Sequence, residues 1–262
     1  MALLEINNIT ISYGSRPTVM DFSMKMEQGQ IISLVGESGS GKTTVIRAAF
    51  GLLPGGGKVT AGDILFEGES VLGFSKEKWR KLRGTGMSMI FQDSGAMMNP
   101  TRKVGNAFVE YIRTHENISK AEAEKKGIEM LERMRLADGG NVMKSYPFQL
   151  SGGMRQRVGI AMGMTYAPKL LLADEPTSAL DVTTQAQIVR QMMELREQYN
   201  TAIIVVTHNL GVACYMSDHI VVMKDGRIED QGSRDYMLHE SENAYTKKLL
   251  DAVPSIGGTR YV

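Results

Sequence analysis

At 262 residues, with 42% hydrophobic and 23% charged side chains, the chain has room for one large globular domain or a domain carrying an inserted lobe. Thirty Lys and Arg stand against 29 Asp and Glu, and the resulting charge of +1 gives no global pull towards nucleic acid or an anionic membrane surface. A single cysteine, Cys214, excludes an internal disulfide and a four-cysteine metal site, and reads as a small buried hydrophobe on a helix. No apolar run approaches the roughly 18 residues that span a bilayer. The stretch Met1-Ala2-Leu3-Leu4-Glu5 lacks the basic start of a signal peptide, so a cytoplasmic location is expected. The 19 methionines fall mostly at apolar positions, where they fill core space better than they would bind metal.

Residues 3–12 alternate apolar and polar (Leu4, Ile6, Ile9, Ile11), as a half-buried strand does. Turn chemistry follows at Tyr13-Gly14-Ser15-Arg16-Pro17, and Met20, Phe22, Met24 and Met26 alternate with Asp21, Ser23 and Lys25 in a second strand that pairs with the first. Ile31-Ile32-Ser33-Leu34-Val35 reads as a buried strand, and Thr44 to Phe50 as a helix. Between them, Gly36-Glu37-Ser38-Gly39-Ser40-Gly41-Lys42-Thr43 satisfies the phosphate-loop pattern G-x-x-x-x-G-K-[ST] in full. Its glycines let backbone approach a polyphosphate where a Cβ would collide, and amide N–H groups at a helix start face the phosphate oxygens. Lys42 is expected to reach the β- and γ-phosphates, the Thr43 hydroxyl to ligate Mg²⁺, and Thr44 to complete the binding set. This stretch predicts binding of a nucleoside triphosphate.

Pro54-Gly55-Gly56-Gly57 is expected to end the first helix, Gly62 to Phe66 to resume the sheet, residues 75–83 to form a short polar helix behind Ser75, and Met87 to Phe91 a further strand. From about 92 to 167 no good strand occurs. Ser119 to Ala137 is an amphipathic helix and another helix follows Ser151, so this stretch reads as a helical lobe inserted in an α/β core. Strand–helix alternation then returns: a strand at 170–173, a helix near 182–199, a strand at 202–206, a helix near 209–216, a hairpin turning at Asp225-Gly226, and two short closing helices.

Leu170-Leu171-Leu172-Ala173-Asp174-Glu175-Pro176-Thr177 is an apolar strand ending in an acidic pair, a Walker B element. Asp174 is placed to bind Mg²⁺ and Glu175, one residue on, to polarise the attacking water as general base. Leu150-Ser151-Gly152-Gly153-Met154-Arg155-Gln156-Arg157 is a second anion site by its chemistry: a serine, two glycines and a helix start.

On these three motifs the chain resembles the ATP-binding-cassette (ABC) ATPases over about residues 3–253. The resemblance implies an α/β fold: a P-loop, RecA-like ABC ATPase core with an N-terminal antiparallel β subdomain and an inserted α-helical subdomain. It further implies one nucleotide-binding domain at 1–253 and a short tail at 254–262. ATP and Mg²⁺ are the implied ligands. In the family, the segment Ser151, Gly152, Gly153 completes the ATP site of a partner subunit. Tyr13, 23 residues before Gly36, matches the aromatic that stacks on adenine. Gln92 matches the Q-loop glutamine that contacts Mg²⁺ and water, Ser178-Ala179-Leu180-Asp181 the D-loop, and His208 the switch histidine at the γ-phosphate. His115, His219 and His239 have no such context and are expected at the surface.

Tyr146-Pro147-Phe148-Gln149 before the signature, Ala173 to Val182, Ile90-Phe91-Gln92-Asp93 with Asn99-Pro100, and Ala252-Val253-Pro254 are similar to the dipeptide/oligopeptide/nickel importer cassettes. That likeness implies transmembrane permease subunits, a second ATPase subunit of the same or a different kind, an extracytoplasmic binding protein acting indirectly, and a peripheral place on the cytoplasmic side of the membrane. It implies no nucleic acid. Two features depart from the pattern: Ser94 stands where a proline usually follows the aspartate, and Gln149 where many relatives carry glutamate. The chain shows no cysteine-containing extension, so no iron–sulfur cluster or regulatory domain is expected. The Tyr-Pro-Phe variant and the compact length lean towards nickel or metal-chelate uptake. The rival readings are a soluble ABC ATPase acting on nucleic acid or the ribosome, one within a metabolic complex, and an exporter cassette.

Overall fold

The computed structural model describes residues 2–92, 94–178 and 180–253, with Gly95 and Ala96 by backbone only, and the backbone of 255–256 and 259–260. Asp93 of the expected Q-loop, Ala179 of the D-loop and Pro254 lie outside the described residues.

In chain order the elements are β1 (Leu4–Tyr13), β2 (Arg16–Met26), β3 (Ile31–Val35), α1 (Lys42–Ala49), β4 (Lys58–Phe66), β5 (Glu69–Ser70), α2 (Lys76–Leu82), β6 (Met87–Ile90), α3 (Ser94–Met97) and α4 (Val104–His115). There follow α5 (Lys120–Arg133), α6 (Gly139–Lys144), α7 (Gly152–Met164), β7 (Leu170–Asp174), α8 (Val182–Tyr199), β8 (Ala202–Thr207), α9 (Leu210–Met216), β9 (His219–Lys224), β10 (Arg227–Ser233) and α10 (Ala244–Asp251). The chain divides into two compact units, one of residues 1–80 with 200–262 and one of 81–199.

In the first unit, an antiparallel sheet runs β2-β1-β4-β5. Its first strand buries Leu4, Ile6, Ile9 and Ile11 although positions 6 and 9 differ in parity. A register shift between Ile6 and Ile9, with Asn8 at φ 49°, resets the alternation, because an extra residue in a strand flips every later side chain. A second shift around Asp21 (φ 52°) makes Val19, not the expected Met20, the buried partner of Phe22, Met24 and Met26. The turn between these strands is only Gly14-Ser15, shorter than expected, and β4 begins at Lys58 rather than Gly62.

The same unit holds the parallel strands β8, β3 and β9, with β10 antiparallel to β9. β3 and β8 are buried at every position, which is why they read as continuous apolar runs. Val35 pairs with Thr207 on one side and Val222 on the other. Past these strand ends, α9, α10 and a π-helical turn at Tyr236–Glu240 cover an apolar cluster that includes Leu210, Cys214, Val222, Met237 and Leu250. Burial pushes the Cys214 thiol up to about 11, as befits an inert core residue.

In the second unit, β6 and β7 pair in parallel, Ile90 beside Ala173. Between them lie α3 to α7. α5 starts on a capping box, with Ser119 Oγ accepting from Glu122 N and the Glu122 carboxylate from Ser119 N. It ends at Arg133, not Ala137, because Arg135 takes φ 55°. Met134 and Leu136 remain buried past that end and extend the apolar pattern beyond the helix. α4 was not foreseen, yet Val104, Phe108 and Ile112 bury one face at helical spacing. Among the described residues no helix is long and apolar enough to cross a membrane.

Candidate functional site

In the first unit the phosphate-loop sequence leaves β3 as an open turn and enters α1. Gly36 (φ 153°), Gly39 (φ 84°) and Gly41 (φ 99°) all occupy backbone conformations that side chains disfavour. A Cβ on Gly36 would sit 2.1 Å from Met223 O, and one on Gly41 2.9 Å from Val19 Cγ2. At Gly39 the space is open, with nothing within 4 Å. Thus the loop is pressed onto β2 and β9 on one side and bare on the other, the form a phosphate cradle requires. Glu37, Ser38 and Gly39 are exposed; Ser40 and Lys42 are buried at 4% and 5% exposure; Thr43 and Thr44 are half-buried.

Burying the Lys42 ammonium demands partners. It donates to Gly36 O and Glu37 O, both at 2.7 Å, and to Ser40 Oγ at 3.2 Å. The hairpin turn at Asp225-Gly226 locks the loop from behind: Gly226 N–H donates to Ser40 O at 3.2 Å, and Gly226 O accepts from Met20 N at 2.8 Å. Because Val35 and Thr207 are in register, His208 leaves β8 at the level where Gly36 leaves β3, and its side chain is exposed there. Tyr13, at the end of β1, is half-buried with its ring against Gly57, where a Cβ would come within 2.6 Å of Cε1.

In the second unit Asp174 closes β7 with 2% exposure. Glu175 follows at φ 44°, a left-handed conformation that is costly for a residue with a side chain and concentrates at functional positions. Gln92, just beyond β6, donates from Nε2 to Glu175 Oε2 at 3.2 Å. Ser178 ties the same two residues together: its amide and Oγ donate to Glu175 O at 3.1 and 3.0 Å, and Oγ also approaches Gln92 O at 3.5 Å. Asp181 accepts from Thr184 N at 2.9 Å and Thr184 Oγ1 at 2.7 Å at the start of α8, and these bonds hold its carboxyl below the usual range. Ser151 caps α7, with Oγ accepting from Met154 N at 3.3 Å. Gly153 lies against α8, where a Cβ would come 2.7 Å from Thr184 Cγ2, while Gly152 keeps ordinary room.

Gln149, which departs from the glutamate of many relatives, has a defined local role. Its Oε1 accepts from Tyr146 N at 2.8 Å and closes the turn that leads to Ser151, a task needing only an oxygen. A cavity of about 480 Å³ opens beside α3, lined by Met89, Phe91, Met97, Met98, Tyr111 and Met162 among others. Sequence reading missed the role of Ser178 as the link between Gln92 and Glu175, and gave no sign of the cavity. It also misplaced two histidines: His115 is half-buried between the rings of Tyr111 and Tyr166, and His219 is half-buried with its imidazole held below the usual range by burial. His239 is exposed.

The phosphate-loop cradle fits the phosphates of a nucleotide, being glycine-lined and carrying the buried ammonium of Lys42. Residues 19–178 match the family profile described as ABC transporter. The chain belongs to that family. It is an ABC cassette, an enzyme that binds and hydrolyses ATP. It is similar to the oligopeptide transport ATP-binding protein OppD of Salmonella typhimurium, 40% identical over 258 residues, or 97% of this chain and 77% of that one. It is also similar to the metal-staphylopine import system ATP-binding protein CntD of Staphylococcus aureus, 37% identical over 98% of this chain and 95% of that one. Among solved structures, a dimeric post-hydrolysis state of an ATP-binding cassette bound to ADP and Pi aligns with TM-score 0.78 and 27% identity, over 88% of the cassette and 98% of that chain.

Proposed function

We propose that the cassette is the ATPase subunit of an importer that takes up peptides or metal chelates, lying peripherally on the cytoplasmic side of the cell membrane. The observation that carries this reading is the likeness over nearly the whole chain to OppD and CntD. Its partners are two transmembrane permease subunits and a second ATPase subunit, with a binding protein delivering cargo from outside.

ATP is held by Tyr13 at the adenine and by Gly36 to Thr44 at the phosphates. The glycines permit backbone approach, and Lys42 moves from its carbonyl partners onto the β- and γ-phosphates. Thr43, Gln92 and Asp174 would hold Mg²⁺, and the ion would supply charge stabilisation at the phosphate oxygens. Glu175 accepts a proton from the attacking water at its carboxylate, and Gln92, already bonded to that carboxylate, orients it. His208 donates towards the γ-phosphate. Most of the catalysis is positioning and charge stabilisation by groups fixed beforehand. Ser151, Gly152 and Gly153 of one subunit close on the ATP of the other, so each site is complete only in a dimer.

Ser151→Arg tests this division of labour. It should leave binding of ATP to the variant's own phosphate loop within about twofold while abolishing hydrolysis, since the arginine blocks only the site across the dimer. Loss of ATP binding in the variant chain would place the signature at its own site and contradict the dimer.

A further inference from the structure

α10 touches the phosphate loop at one peptide. The amide N–H of Glu37 donates to the Tyr245 hydroxyl at 3.2 Å. That amide belongs to the Gly36–Glu37 peptide, whose carbonyl, Gly36 O, accepts from Lys42 Nζ at 2.7 Å. A peptide is a rigid plane, so its N–H and C=O turn together. One edge of this plane therefore holds the Lys42 ammonium, and the opposite edge is held by a tyrosine from more than two hundred residues along the chain. The plane needs holding, because it is flanked by Gly36, which is free to rotate where other residues are not.

Tyr245 is itself firmly placed. Its side chain is buried in the cluster with Val35, Leu210, Val222 and Leu250. Asn243 Oδ1 caps α10 by accepting from the amides of Tyr245 and Thr246 at 2.8 and 3.1 Å, and Asn243 Nδ2 donates to Glu229 O at 3.0 Å. Asp230 Oδ2 accepts from Thr246 Oγ1 at 2.8 Å and Ser241 Oγ at 2.5 Å. A continuous path thus runs from β10 through α10 to the loop. The Lys248–Glu37 pair nearby, at 4.0 Å with both side chains largely exposed, adds little to it.

We propose that Tyr245 is a positioning residue for nucleotide binding: its hydroxyl sets the orientation of the Gly36–Glu37 peptide and so keeps the Lys42 ammonium aimed along the phosphate loop. This rests on the reading of Lys42 as the phosphate ligand. It makes ATP affinity depend on the docking of a helix that lies outside every nucleotide-binding motif of the sequence.

The test is Tyr245→Phe in the full chain, which keeps the ring and its packing and deletes only the hydroxyl. Equilibrium binding of MgATP should weaken by about 2–10-fold, the fold-change expected for one lost hydrogen bond. The thermal midpoint of the variant without nucleotide should stay within about 3 °C of the parent. An unchanged dissociation constant overturns the proposal whatever the midpoint does, because a packing residue alters the folded fraction and leaves the affinity of folded molecules alone. Lys42→Ala measured in parallel separates the two readings. If it leaves MgATP binding intact, the phosphate-loop reading fails and the proposal with it. If it removes binding while Tyr245→Phe is silent, the positioning role alone fails.

Discussion

Gly36→Ala puts a number on how tightly the phosphate loop is pressed onto the strands behind it. The new Cβ would lie 2.1 Å from Met223 O and 3.0 Å from Ser40 Oγ. Carbon and carbonyl oxygen rest at roughly 3.3 Å, so backbone must shift by about 1.2 Å, the difference between that spacing and the observed one. Met223 is paired with Ile228 in the β9–β10 hairpin, so its carbonyl cannot retreat alone. Overpacking of this kind costs about 1–3 kcal/mol and a disfavoured backbone conformation about 1–3 more, together about 2–6 kcal/mol. Against a typical total of about 5–15 kcal/mol, that is a large fraction of the stability. Urea unfolding followed by Trp79 fluorescence reads it directly. Trp79 is the sole tryptophan, and it is 9% exposed with its ring edge-on to Phe50 and Phe74, so its emission changes when this unit opens. With a slope of about 3 kcal/mol/M, the midpoint should fall by about 0.7–2 M. Gly39→Ala is the control. It carries a similar backbone cost at φ 84° but meets nothing within 4 Å, so its loss should be about 1–3 kcal/mol. Equal stability of the two variants would refute the steric part of the reasoning.

Glu175→Gln should lower kcat by about 10²–10⁴-fold, the worth of a general base, while ATP binding persists because the Gln92 amide still finds an oxygen at position 175. Full turnover in single-turnover kinetics would remove Glu175 from that role. Lys42→Ala should abolish tight MgATP binding in calorimetry, since it removes a buried ammonium that three oxygens of its own loop hold within the cradle. An unchanged dissociation constant would contradict the assignment of the loop.

The fold class was legible because its signals are local: a buried apolar strand, a phosphate loop and a helix in immediate succession at 31–49. Element boundaries were less so. The helix that stops at Arg133 was expected to reach Ala137, because burial of Met134 and Leu136 continues the apolar pattern after the backbone has left the helix. The bulges at Asn8 and Asp21 decide which of Val19 and Met20 faces the core, and nothing in the side-chain pattern marks them beforehand. α4 was missed because its Gly105 and Asn106 weaken the helical signal; Gly105 is there because a Cβ would lie 2.6 Å from Met143 O. Candidate site residues could be picked out from motifs, since each motif is contiguous. The contacts that hold them could not. Ser178 bridging Gln92 to Glu175, and Tyr245 reaching Glu37, join residues far apart in sequence through single hydrogen bonds. Bonds of that kind leave no periodicity to read.

The central claim is that the cassette drives a membrane importer. Its most direct test is to purify the full chain from native membranes in mild detergent and identify what accompanies it. Two multi-spanning subunits and a second ATPase subunit should co-purify in fixed proportion, and the cargo class of the associated binding protein should be peptide or metal chelate. Recovery with ribosomal, nucleic-acid or soluble metabolic partners alone would leave the ATPase standing and contradict the transport role.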